Sequence, residues 1–153
     1  MLLHVIPADR MCGEKRTKGR IIVQSRDTDV LVLCVHYFPS LQYTDELWFQ
    51  TGAISSTKDG RRCIPVHDIC NSIDPVIYKI LPAVQAVTGC DTTSSMFGIG
   101  KCTVFKVLKD RPSDFIDLSS LADSDIDQSV YAARKLVVRL YEKLKAGHVD
   151  FNK

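Results

Sequence analysis

The apolar run Ile21-Ile22-Val23, followed almost at once by Ser25-Arg26-Asp27-Thr28-Asp29, most constrains what this chain can fold into. Consecutive β-branched residues favour an extended backbone, because branching at Cβ restricts χ1 in a helix and packs well on a pleated surface. An apolar strand without alternation reads as one packed on both faces of a parallel sheet. Parallel strands need crossover connections, normally helices, so the chain is expected to be α/β. Such folds build their sites at the carboxyl ends of strands. Asp27 and Asp29 stand at such an end.

The remaining pattern supplies the crossovers. Residues 1–14 read as the tail of a helix disturbed at Pro7, Arg20–Ser25 as a strand, and Val30–Tyr37 as a helix capped by one of the aspartates, with a second strand as the alternative. Glu46–Thr51 and Arg62–Val66 read as strands able to pair as a hairpin around a polar loop that turns at residues 55–60. Asp74-Pro75 marks a helix start, with Asp as N-cap and Pro in the first turn, and Pro82 predicts a kink. Gly98-Ile99-Gly100 separates two short helical pieces, the second with Val104, Phe105 and Leu108 facing inward. Residues 112–127 form a Ser/Asp-rich connection with a short helix near Asp114–Leu118. A helix over Ile126–Lys145 presents Val130, Ala133, Val137, Leu140, Tyr141 and Leu144, and Gly147 is its expected stop. The expected architecture is a small, mainly parallel sheet flanked by helices, with a helical C-terminal half.

Composition narrows the class. The 153 residues are 45% hydrophobic and 25% charged, which fits a globular chain with a core. Net charge is only +2, so no global field selects a partner. The charge is local instead. Residues 96–112 hold Lys101, Lys106, Lys109 and Arg111 against Asp110 alone, whereas residues 113–127 hold five aspartates and no base. Basic strips of the first kind matter for phosphate contact. The six cysteines form no CxxC pair and no zinc spacing with the histidines, so they read as reduced thiols of an intracellular protein. No apolar run reaches about eighteen residues, so no membrane span is expected.

Three acids carry the candidate chemistry: Asp27, Asp29 and, far along the chain in Thr88-Gly89-Cys90-Asp91-Thr92, Asp91. Hard divalent cations such as Mg²⁺ take carboxylate oxygens, and phosphodiester hydrolysis gains from a cation that neutralises charge on the phosphate. The plainer reading is capping: Asp27 or Asp29 caps the following helix, and Asp91 a turn. A haloacid-dehalogenase-like phosphatase also places DxD after its first strand. Here Gln24-Ser25-Arg26 intervene, and no second acid follows Asp91 before Asp110, so that reading is set aside. The glycines of Gly98-Ile99-Gly100 permit close approach of a phosphate to successive backbone amides, with Lys101 and Lys106 to steer it. The alternative is an ordinary helical corner with solvating lysines. Trp48 and Phe49 read as packing residues.

Taken together, SRDTD at 25–29, TGCDT at 88–92 and GIGK at 98–101 resemble the flap endonuclease family of structure-specific 5′ nucleases, within the wider PIN-like nuclease fold. The stretches DTDVLVL, DELWF, IPVHDI and TGCDTTSSMFGIGK are also similar to a group of animal PIN-like proteins often found near mobile elements. The resemblance covers roughly residues 20–112. It implies that Asp27, Asp29 and Asp91 hold Mg²⁺ or Mn²⁺, and that Gly98, Gly100, Lys101 and Lys106 grip a nucleic-acid backbone, DNA rather than RNA, through a helix–hairpin–helix at about 88–110 that often binds K⁺. A DNA partner implies an intracellular, nuclear place. The family's N-terminal aspartate, acidic helix and basic arch have no matching motif here. Residues 1–112 are therefore expected to be the C-terminal half of a nuclease domain, incomplete as a catalyst, and residues 113–153 an acidic connection and an amphipathic helix.

Overall fold

The computed structural model describes residues 2–15, 17–52, 60–90, 93–121 and 123–149, with side chains described between 4 and 145. Two compact units divide between Ile73 and Asp74. The expected loop turn at 55–59 lies outside the described residues.

Unit 1 runs α1 (Leu2–Glu14), β1 (Gly19–Gln24), α2 (Thr28–Tyr37), a 3-10 turn (Phe38–Ser40), β2 (Thr44–Thr51), β3 (Arg62–Pro65) and α3 (Val66–Ser72). The sheet order is β1-β2-β3. The α2 crossover makes β1 and β2 parallel, whereas β3 returns antiparallel beside β2. The sheet is therefore small and mixed, with one pair of each kind, and helices flank it. Pro7 lies inside α1, and the helix runs through it.

Register decides what the strands bury. Ile21 pairs with Leu47, Val23 with Phe49, and Phe49 in turn with Ile64. Leu47, Phe49 and Val23 are buried, as are Cys34 and Val35 of α2 and Val66 and Cys70 of α3. The opposite face carries Arg20, Ile22 and Gln24 beside Glu46, Trp48 and Gln50. There Ile22 is 59% exposed. The expectation of a strand packed on both faces fails at this residue. Polar contacts occupy that face: Arg20 donates to both Glu46 oxygens at 2.7 and 3.0 Å, and the Trp48 indole donates to Oε2 at 2.9 Å. The bond from Arg20, then that from Trp48, holds the Glu46 carboxyl below its ordinary range.

A buried carboxylate fastens α1 to the start of β2. Asp9 is 6% exposed and accepts from Gln42 N at 3.0 Å, Tyr43 N at 2.9 Å and Thr44 Oγ1 at 2.7 Å. Burial by itself raises the pKa of a carboxyl. Here the bonds from Gln42, Thr44 and Tyr43 outweigh it, so the pKa falls below the ordinary 3.8. None of the six cysteines is in a disulfide. Burial pushes the thiols of Cys34 and Cys70 up to about 11.

Unit 2 contains α4 (Pro75–Thr88), α5 (Lys101–Asp110), a 3-10 helix (Pro112–Ser120) and α6 (Ile126–Val149). Asp74 caps α4 by accepting from Val76 N at 2.8 Å, with Pro75 in the first turn as expected. One core joins Ile80 and Val84 of α4, Val104 and Leu108 of α5, Phe115 and Leu118 of the 3-10 helix, and Leu136 and Leu140 of α6. The acidic segment is thus part of this core and not a bare connection. Its three-residue period brings Phe115 and Leu118 onto one side. On α6 the buried stripe is Ala132-Leu136-Leu140, so the expected inward residues Val130 and Tyr141 are exposed. Apolar residues wrap much of this helix, and the wholly aliphatic stripe buries no hydroxyl that needs a partner. The helix also continues past Gly147, since an interior glycine costs only about 1 kcal/mol.

Replacing Asp9 with Ala strands three donors and is expected to lower unfolding free energy by about 2–3 kcal/mol in denaturant titration. Because the folded-state pKa is depressed, the Asp9 contribution is fully present above the unfolded value. It is lost as pH falls through the folded one, below 3.8. The acid limb of the stability–pH curve is therefore expected to flatten in Asp9→Asn.

Candidate nucleic-acid interface

The strand-end acids are held by nested local bonds. Ser25 N donates to Gln50 O at 3.0 Å and prolongs the β1–β2 pairing by one residue. Ser25 Oγ then accepts from Asp27 N at 3.1 Å, and Asp27 Oδ1 accepts from Asp29 N at 2.8 Å. Asp27 is thereby the N-cap of α2, with extended backbone, and Asp29 lies in the first turn. Two carboxylates near a helix N-terminus suit its partial positive charge. Capping therefore accounts for Asp27, and the helix dipole favours a carboxylate at Asp29. Asp27 is exposed, and its second oxygen has no partner among the described residues. Asp91, the third expected ligand, lies outside the described residues. Among those described, no three His, Cys, Asp or Glu side chains gather as a metal-holding group.

The TGCDT stretch closes α4. Gly89 is its C-cap at φ +107, and a Cβ there would lie 2.5 Å from Ser95 Cα, so only glycine fits. Cys90 and Thr93 exchange backbone bonds at 3.2 and 3.3 Å, and Thr93 Oγ1 donates back to Ala86 O at 3.0 Å. Lys101, expected at the nucleic acid, sends its ammonium to Thr88 Oγ1 at 3.1 Å and to Gly89 O. A cation over the carbonyl end of a helix is favourable, so Lys101 serves as a cap on α4.

The glycine pair has two different jobs. Ile99 is buried in the unit 2 core and pins the turn, and its N–H donates to Met96 O at 3.4 Å. Gly98 stands at φ +73, a left-handed conformation that favours glycine. Gly100 is extended, at φ −83 and ψ 157, and caps α5 without a side chain. A Cβ on Gly100 would meet nothing within 4 Å. Its carbonyl accepts from Thr103 N and Val104 N, and the backbone amides of Lys101 and Cys102, in the first turn of α5, have no acceptor within the helix. The described residues before this turn, 93–96, are not helical, so the expected helical piece ahead of Gly98 does not form there.

Along α5 the exposed residues Cys102, Phe105, Lys106 and Lys109 fall at helical spacing on one stripe. Val107, not Phe105, joins Val104 and Leu108 inside. Sequence reasoning also passed over Phe97, which is 93% exposed at the turn itself. Its position next to a glycine in a basic strip was the available signal. Trp48 and Phe49 are packing residues as expected, half-buried and buried respectively. Comparison with protein-family models, curated proteins and solved structures returned no match for this chain.

Gly98→Ala is expected to cost about 1–2 kcal/mol in thermal or denaturant unfolding, because it forces a Cβ into left-handed backbone. Gly100→Ser is expected to be neutral or stabilising by a few tenths of a kcal/mol, since serine is a better N-cap. Asp27→Ala is expected to cost about 1 kcal/mol through the lost cap on α2.

Proposed function

We propose that the chain is a PIN-like, flap-endonuclease-like module, descended from a divalent-metal-dependent phosphodiesterase. In this reading it binds nucleic acid, DNA in preference to RNA, and is incomplete as a catalyst by itself. The binding element is the Gly98–Lys101 turn with the outer stripe of α5, taken as an extended counterpart of a helix–hairpin–helix. The observation that carries the reading is Gly100. Neither backbone conformation nor packing requires glycine there, whereas a phosphate approaching the first amides of α5 does. Lys106 and Lys109 supply charge along the same helix without reading sequence. K⁺ at the turn belongs to the same reading, held by turn carbonyls. A nuclear, intracellular place follows from the partner. Among the described residues no helix is long and apolar enough to cross a membrane.

Binding of a short DNA duplex is expected to weaken steeply with salt, and further in the double variant Lys106→Glu/Lys109→Glu, by fluorescence anisotropy. Gly100→Ser is expected to fold normally and bind at least several-fold more weakly. Wild-type affinity in Gly100→Ser would remove the hairpin from the interface.

A second reading keeps the chemistry, and the exposed Asp27 at the carboxyl end of a parallel strand favours it. Its carboxylate oxygens are the hard donors that Mg²⁺ or Mn²⁺ takes. Asp27, Asp29 and Asp91 would hold the cation, whose charge would offset that building on the attacked phosphate. Cleavage of a flapped duplex that needs Mn²⁺ and disappears in Asp91→Ala is the expected result. Cleavage that survives Asp91→Ala takes that residue out of the mechanism.

A further inference from the structure

We propose that Phe97 is a base-stacking residue, and that the nucleic acid taken at the hairpin presents an unpaired base there. The inference rests on the nucleic-acid reading and adds its substrate class: a single-stranded segment in place of a continuous duplex.

A phenylalanine 93% open to water forgoes nearly all the stabilisation its burial would give. Unit 2 has a place for an apolar side chain two residues on, and fills it with Ile99. The ring of Phe97 is directed outward by the same turn that buries Ile99, with Gly98 at φ +73 between them. The turn is thus pinned from below, and its tip is held in position. An aromatic face on a pinned tip is a stacking platform.

The residues that follow the turn along α5 indicate the partner. The stripe that leads away along α5 is Cys102, Phe105, Lys106 and Lys109, all exposed. Lys106 is about 9 Å along the helix axis from Gly100, by the rise per residue. Neither Lys106 nor Lys109 has a carboxylate partner among the described residues, whereas Lys143 pairs with Asp110 at 3.2 Å. Exposed rings followed along the chain by exposed lysines match a strand whose base stacks on a ring while its phosphates run past ammonium groups. A paired duplex offers phosphates to Lys106 and Lys109 but no base face to Phe97, since its bases are stacked on one another. The phosphate contacts therefore serve both forms, and Phe97 serves only the unpaired one.

The test compares a mixed-sequence single-stranded DNA with the fully paired duplex of the same length, by fluorescence anisotropy on the whole chain. Phe97→Ala is expected to weaken single-strand binding roughly 5- to 100-fold and leave duplex binding within about 2-fold. Phe97→Tyr is expected to restore it. Being exposed, the site tolerates these substitutions without loss of fold, which a melting curve checks. Lys106→Glu is expected to weaken both forms. Equal effects of Phe97→Ala on both forms, or none on the single strand, would overturn the stacking role while leaving the hairpin as a phosphate contact. A wild-type chain that binds neither form would fail at the earlier step, the nucleic-acid reading itself. Should the wild type self-associate in sedimentation and Phe97→Ala not, the ring is a protein contact and the proposal is wrong.

Discussion

Three hydrogen bonds to one buried carboxylate set the geometry of unit 1. Asp9, on α1, collects the donors of Gln42, Tyr43 and Thr44, and so fixes where β2 begins. The pairing of β2 with β1 opens at Gly19–Thr44, slips by one residue, and from Arg20–Glu46 onward carries Gln50 opposite Gln24. Gln50 O then receives Ser25 N, and Ser25 places Asp27. Ser25 thereby ties the strand pairing to the cap of α2, while the Asp9 charge is buried at the opposite end of β2. The charge is tolerable because each donor offsets part of the desolvation cost.

In unit 2 the same economy works through glycines and a lysine. Gly89 and Gly98 are conformational necessities, at φ +107 and +73. Gly100 is not, and this difference separates residues that shape the loop from one that leaves room beside it. Lys101 illustrates the converse. A cation in the middle of a basic strip looks available to a ligand, yet it is spent on the open carbonyl end of α4. Lys106 and Lys109, farther along the helix, are the cations that remain at the surface of that stripe.

Local features were readable from the chain alone. The caps Asp27 and Asp74 depend on bonds two residues away, so a short motif contains all their physics. Strands and helices of unit 1 follow from β-branched runs and from breakers at their ends. Asp9 was not readable, because its partners lie 33–35 residues on. The exposure of Ile22 was not readable either: a parallel strand shows in sequence, whereas which of its faces is covered depends on where the helices pack. On α6 the period was plain and the phase was not, since residues 130, 133, 137 and 141 make nearly as apolar a stripe as 132, 136 and 140. The hairpin glycines were visible as a pair, but only backbone angles distinguish their roles. Phe97 was hidden by the usual assumption that phenylalanine goes inside.

The thiol inventory has a practical side. With pKa values near 11 and apolar surroundings, Cys34 and Cys70 stay protonated at neutral pH and out of reach of electrophiles. Cys63 and Cys102 are open to solvent. One belongs to each unit, and Cys102 lies on the outer stripe of α5. The unaltered chain thus carries its own attachment points for maleimide dyes, one of them set into the very surface whose occupancy is in question.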